Sequence, residues 1–198
     1  MRTLFHLAIL VALLGLCSNT ARTQDQQKST GVTSFASGFR SDCLATWDDF
    51  SKKMVALAEA MPQEKYSWRP GEGVRSVGEV FTHVAGGSYW FMQMAGIQPP
   101  AGVDLKSVDS LKEKAKIVEV LKQSCEHVRQ AMMKTSDADF NKPAKIFGRD
   151  GTVREVFFLL VTHQPEHLGQ SIAYARMNGV VPPWTAERQA QQQPPTKK

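Results

Sequence analysis

The chain has 198 residues, 42% of them hydrophobic, with 24 Lys and Arg against 19 Asp and Glu and a formal net charge of +5. That is enough apolar material for one real core. The basic residues are dispersed, with no basic block and no interleaved aromatics, which gives nucleic-acid binding little support and reads as a solvated surface.

The chain opens on a leader. Met1-Arg2 is a short basic start, and Leu4 to Leu16 is an uncharged apolar run interrupted only by His6. A bilayer span needs about 20 apolar residues, so this run is too short to stay as an anchor. Polar and small residues from Ser18 to Thr23 complete the pattern of a secretory signal peptide over residues 1–23, cut between Thr20 and Gln24. Leu14-Gly15-Leu16-Cys17 hints at a lipoprotein box, but Leu16 stands where that box wants a small residue, so a lipid anchor is the lesser reading. The protein is expected to be exported, periplasmic or secreted, with no stable transmembrane segment. Residues 24–33 are polar and read as a flexible lead-in.

A domain is expected over residues 34–186. From Phe35 the apolar positions fall at helical spacing through Cys43, Trp47, Phe50, Met54 and Leu57 to Met61, and Pro62 ends the helix. Tyr66 to Arg75 is a loop, marked by Trp68-Arg69-Pro70-Gly71. Ser76-Val77-Gly78-Glu79 is a capping box that opens a second helix, which carries His83 and runs to Met94. Gly86 and Gly87 inside it each cost about 1 kcal/mol against alanine. Close approach of a backbone or ligand one turn beyond His83 would justify them, and so would a plain small-residue helix contact.

Gly96 to Ser107 has no period and, if extended, spans about 35–40 Å, enough to travel back along a helix. A third helix is expected from Asp109 to Lys134, with Leu111, Val118, Leu121, Cys125, Val128 and Met132 inward and His127 off that line, on the surface. Ser136 to Gly151 reads as an irregular connection. Thr152-Val153-Arg154-Glu155 is a second capping box, opening a fourth helix that runs to Asn178 before Gly179 stops it. Residues 187–198 read as a disordered tail. No stretch alternates with a period of two for long enough to make a strand. Four amphipathic helices make an all-α four-helix bundle, and the long second connection favours up-down-down-up order. Cys43 and Cys125 both fall on apolar stripes and read as buried thiols, with a disulfide as the lesser reading.

The inward stripe of the fourth helix runs Val156, Leu160, His163, His167, Gln170, Tyr174. Residues four apart share a helix face, so His163 and His167 interrupt a core seam together. Two adjacent imidazoles are costly to bury unless each finds a partner. One metal ion serves both, and His83 can face the same interior; hydrogen bonding in a structural role is the alternative. Pro165, between the pair, removes a backbone donor and is expected to kink the helix. Glu79 and Glu166 are candidate partners for the outer ring nitrogens, and Gln170 could orient a bound water or substrate.

Trp68-Arg69-Pro70 with Gly73 and Arg75-Ser76, a helix with His83, and His163-x-x-x-His167 followed by Leu168-Gly169-Gln170 resemble the DinB/YfiT-like family. The resemblance spans about Phe35 to Trp184, and the run from Gln170 to Trp184 is similar to exported members. It implies an up-down-down-up four-helix bundle, often dimeric, so a homodimer is possible. It also implies a divalent metal, commonly zinc or nickel, on His83, His163 and His167. Relatives include thiol-dependent S-transferases, an isomerase and proteins assigned as metal-dependent hydrolases, which implies a small-molecule substrate or a thiol as partner. The resemblance does not imply DNA binding. Pro165 departs from the pattern, and Thr162 stands where relatives often carry an acid.

Overall fold

The computed structural model describes residues 31–192, with side chains from Gly38 onward. The expected leader, most of the lead-in and the end of the tail lie outside these residues. Four long helices carry the fold: α1 (Gly31–Ala60), α2 (Val77–Met94), α4 (Lys114–Lys134) and α5 (Val153–Met177), with a short α3 (Leu105–Ser110) in the crossover. A hairpin of β1 (Pro143–Ile146) and β2 (Arg149–Thr152) precedes α5, and α6 (Pro183–Gln192) follows it. No described helix is long and apolar enough to cross a membrane.

Side-chain contacts fix the order of the helices. Trp47 Nε1 donates to the Cys125 carbonyl at 3.0 Å, Arg129 meets Asp48 at 3.0 Å, and Lys114 Nζ donates to the Glu59 carbonyl at 2.7 Å, so α1 and α4 run antiparallel. Gly78 lies beside Ile117 and Tyr89 packs on His127, so α2 and α4 run parallel. His83 faces His167 while Phe91, two turns later, faces His163, so α2 and α5 are antiparallel. Arg154 lies over Phe39, and Gln164 bonds Ser51, so α5 runs with α1. This is the up-down-down-up bundle.

The core lies where the four helices meet, around Trp47, Met54, Leu57, Phe81, Tyr89, Leu121, Met132 and Phe157. α2 is buried over most of its surface because α4, α5, α3 and β1 all lean on it. Its start is capped as the sequence indicates: Ser76 Oγ accepts from the Glu79 amide at 3.3 Å, and the Glu79 carboxylate accepts from the Ser76 amide at 2.9 Å. The Trp68 loop supplies two further acceptors. The Val77 and Gly78 amides donate to the carbonyls of Trp68 and Tyr66, so the first turn of α2 leaves few bare donors.

Several expectations are corrected. The third helix does not begin at Asp109. Asp104 caps α3 by accepting from the Lys106 and Ser107 amides, Leu111 is extended (φ −63°, ψ 137°), and α4 starts afresh at Lys114. The connection from Ser136 to Gly151 is not wholly irregular: β1 and β2 pair antiparallel, with Ile146 opposite Arg149. Their two-residue turn places Phe147 at φ 50° and Gly148 at φ 84°. Positive φ at both positions is the turn that matches strand twist, usually with Asn-Gly. Phenylalanine there costs about 1–2 kcal/mol. The second capping box is only half made. Thr152 Oγ1 accepts from the Glu155 amide, but the Glu155 carboxylate turns to Arg149 at 3.1 Å. Residues 187–192, expected in the tail, continue α6, whose first residue Pro183 suits a helix start. The cysteines meet the expectation: Cys43 and Cys125 are buried thiols, unpaired among the described residues. His127 is half-buried rather than fully on the surface: its ring packs on Tyr89, and its Nε2 is enclosed without a hydrogen-bond partner among the described residues.

Candidate metal centre

His83 comes from the middle of α2, and His163 and His167 from successive turns of α5. Because the two helices are antiparallel neighbours, the three rings meet. His163 Nε2 lies 3.3 Å from His83 Nε2 and 3.1 Å from His167 Nε2. A ligand atom from each ring lies within 4.8 Å of those of the other two. Nitrogens bound to one ion at about 2.0–2.1 Å stand roughly 2.8–3.4 Å apart for angles between square and tetrahedral. The donor set therefore fits a single small divalent cation.

The protonation pattern points the same way. Gln170 Nε2 donates to the Tyr174 hydroxyl at 2.9 Å, which turns the amide oxygen toward His167, 2.9 Å from Nδ1. The Nδ1 proton is thereby donated outward, and the Nε2 lone pair of His167 is left facing the other rings, which is the form a metal ligand takes. Burial, helped by Arg75 and then by His167, pushes His83 down to about 4. Burial, helped by His167, His83 and Arg75, does the same to His163. Both rings are therefore neutral near pH 7, with lone pairs free to bind.

The surroundings explain the local sequence. A Cβ on Gly87 would stand 3.2 Å from His163 Cε1, so the glycine lets the imidazole lie against the α2 backbone. A Cβ on Gly86 would meet Asp109 and Val108 of the crossover at only ordinary contact distance. Trp68 stands edge-on to Tyr174 at 5.4 Å, linking the loop motif to Gln170 and hence to His167. Phe91, one turn beyond Gly87 on α2, also packs on His163, with ring centroids 5.3 Å apart. Pro165 sits inside a helix that runs unbroken from Val153 to Met177, and the rings on either side of it converge.

The candidate outer partners divide. Gln170 touches His167, its Oε1 2.9 Å from Nδ1. Glu79 is occupied elsewhere, by the Ser76 amide at 2.9 Å and by Arg69 at 3.0 Å, and makes no bond to the histidines. Glu166 is exposed and bonds none of the three rings among the described residues. The inward face of α5 also differs from the expected stripe. Gln164 and Ser171 are buried on it, and Gln164 bonds Ser51 at 3.0 Å across the core. Tyr174 and Gly87 are the site neighbours that sequence reasoning did not assign. The spacing of His167, Gln170 and Tyr174 on one face was the available signal for the first.

The DinB superfamily model matches residues 46–171. A solved DinB-like protein from Bacillus cereus ATCC 10987 is similar with a TM-score of 0.64 at 18% identity, over 71% of this chain and 93% of that one. The DinB-like protein YjoA from Bacillus subtilis is similar with a TM-score of 0.55 at 19% identity, over 70% of this chain and 92% of that one. At these identities the likeness speaks for the fold. No curated protein matches the chain. The match over most of the bundle means that this chain belongs to the DinB superfamily.

Proposed function

We propose that His83, His163 and His167 hold one divalent ion, zinc or nickel, and that the protein is an exported metalloenzyme of the hydrolase or thiol S-transferase type. The observation that carries this reading is the convergence of three imidazole Nε2 atoms, 3.1 and 3.3 Å apart, from two helices. Imidazole suits both metals, and three protein ligands leave a position for water, a thiol or a small-molecule substrate. An ion so held would lower the pKa of a bound water or thiol and so supply a nucleophile near neutral pH. The chain's own residues do the positioning. Gln170 fixes the His167 ring, Gly87 and Phe91 confine His163, and the Arg75 cation disfavours protonation of His83 and His163.

Protein purified without an affinity tag and incubated with zinc or nickel should carry about one equivalent, and His163→Ala should carry none. Less than about a tenth of an equivalent in the wild type overturns the reading. Turnover of a model ester or thiol-acceptor substrate that is lost in His163→Ala and kept in His127→Ala supports the enzyme. Export rests on the apolar run from Leu4 to Leu16, and a mature N-terminus between Thr20 and Gln24 is the expected result of N-terminal sequencing.

A second reading, a non-catalytic exported metal- or ligand-binding bundle, has its own support. Among the described residues no carboxylate hydrogen-bonds to the three rings. Thr162, beside His163, is exposed and spends its hydroxyl on the Phe158 and Leu159 carbonyls. Metal bound without turnover of either substrate class assigns this role.

A further inference from the structure

The hairpin tip presents an aromatic where the backbone least favours one. Phe147 has φ 50° and is 61% exposed, and it lies against Trp90, itself 44% exposed, with ring centroids 5.5 Å apart. Packing on Trp90 therefore leaves most of the Phe147 ring in water. Asparagine would hold the same turn without strain and without exposing apolar surface. A strained, exposed ring is an outlier that the hairpin itself does not need.

Its position gives it a use. Phe147 lies 6.1 Å, centroid to centroid, from Phe91, and Phe91 lies 5.3 Å from His163. Trp90 is the chain neighbour of Phe91 and packs on it at 5.4 Å. The rings thus touch in series from a histidine of the triad, through Phe91, which is 6% exposed, to the exposed pair Phe147 and Trp90. His83 and His163 are only partly buried, so the triad itself reaches the surface. Ligand sites commonly pair a few convergent polar groups with an apolar or aromatic wall.

We infer that Phe147 and Trp90, backed by the buried Phe91, form the specificity wall of the histidine site and select ligands that carry a flat apolar or aromatic group beside their metal-binding end. The inference rests on the metal reading above. It adds a substrate class: small molecules with an aromatic or comparable planar apolar portion, stacked on Phe147 and Trp90 while the polar end approaches the three imidazoles.

The test uses zinc-loaded full-length protein and two simple metal-directed probes, benzohydroxamate and acetohydroxamate, titrated by calorimetry. Taking the ratio of their affinities in each protein cancels the chemistry of the hydroxamate group. The ratio should favour benzohydroxamate in the wild type and fall about fivefold in Phe147→Asn and in Trp90→Ala. Metal content should stay at the wild-type level in both, and Phe147→Asn should unfold at the same temperature or higher, since it relieves strain. An unchanged ratio in metal-loaded variants overturns the wall and leaves the metal centre standing. Absence of metal in the wild type overturns the metal reading and this inference with it. A fall in melting temperature in Phe147→Asn with no change in ratio makes the ring a structural pin and overturns the proposal. A dimer that Phe147→Asn converts to a monomer, again with the ratio unchanged, assigns the rings to a subunit interface and overturns it equally.

Discussion

His163 lies against the backbone of α2 because residue 87 has no side chain. A Cβ there would meet His163 Cε1 at 3.2 Å. Gly87→Ala separates two effects that usually travel together. Helix propensity favours alanine by about 1 kcal/mol, so the melting temperature should hold or rise. The imidazole must shift, so zinc affinity should weaken by about tenfold, read by competition with a chelating dye. Gln170→Ala acts from the other side. It removes the acceptor that holds the His167 tautomer, and zinc affinity should fall by about 10–100-fold while the helical circular dichroism is kept. The cysteines are inert by comparison. Burial, then the nearby Asp42 carboxylate, pushes the Cys43 thiol up to about 11, and burial raises Cys125 as well. The thiolate is the reactive form, so iodoacetamide at pH 8 should leave both unmodified in the native protein and label both in urea, as followed by mass spectrometry. The histidines were legible as residues four apart on one face. Gly87 was legible as a cost that a close approach or a small-residue helix contact would justify, but nothing local says which side chain will lie on it.

α2 depends on its first turn, where Ser76 and Glu79 satisfy each other's amides and the Tyr66 and Trp68 carbonyls take two more. Ser76→Ala should cost about 1 kcal/mol in urea unfolding. The Glu79 carboxylate is held below its usual range, first by the Ser76 amide and further by Arg69 and Lys112. A carboxylate whose folded pKa is depressed stabilises above its unfolded pKa and loses that contribution as pH falls through the folded value. The stability gap between wild type and Glu79→Gln should therefore be present near neutral pH and close in acid. The sequence marks this element well because caps are local chemistry. It marks the crossover poorly. Leu111 shares the apolar phase of α4, and a three-residue break, extended at Leu111 and again at Glu113, separates α3 from α4. The hairpin escapes notice for a related reason. Four-residue strands are too short for alternation to register, and Phe-Gly is not a dipeptide that announces a turn with positive φ.

The three histidines join two antiparallel helices, so a bound ion would staple α2 to α5 across the bundle. A ligand that binds only the folded state stabilises it by mass action, by about 2.7 kcal/mol at a free concentration 100 times its Kd. For a chain of this size that is roughly 5–10 °C in melting temperature. Zinc should produce such a shift in the wild type and none in His167→Ala, measured by differential scanning calorimetry. The bundle class follows from apolar periodicity, capping residues and breakers such as Pro62 and Gly179, because each acts within a few residues of chain. The pair His163 and His167 belongs to the same local order. Which face of α2 meets that pair, how Gln164 finds Ser51, and how Phe147 comes to lie on Trp90 do not. Those contacts join residues far apart in the chain, and their partners are chosen by how the helices pack and which way they run. The parallel run of α2 and α4, which the long crossover permits, puts α5 antiparallel to α2 and so brings His83 to the other two rings.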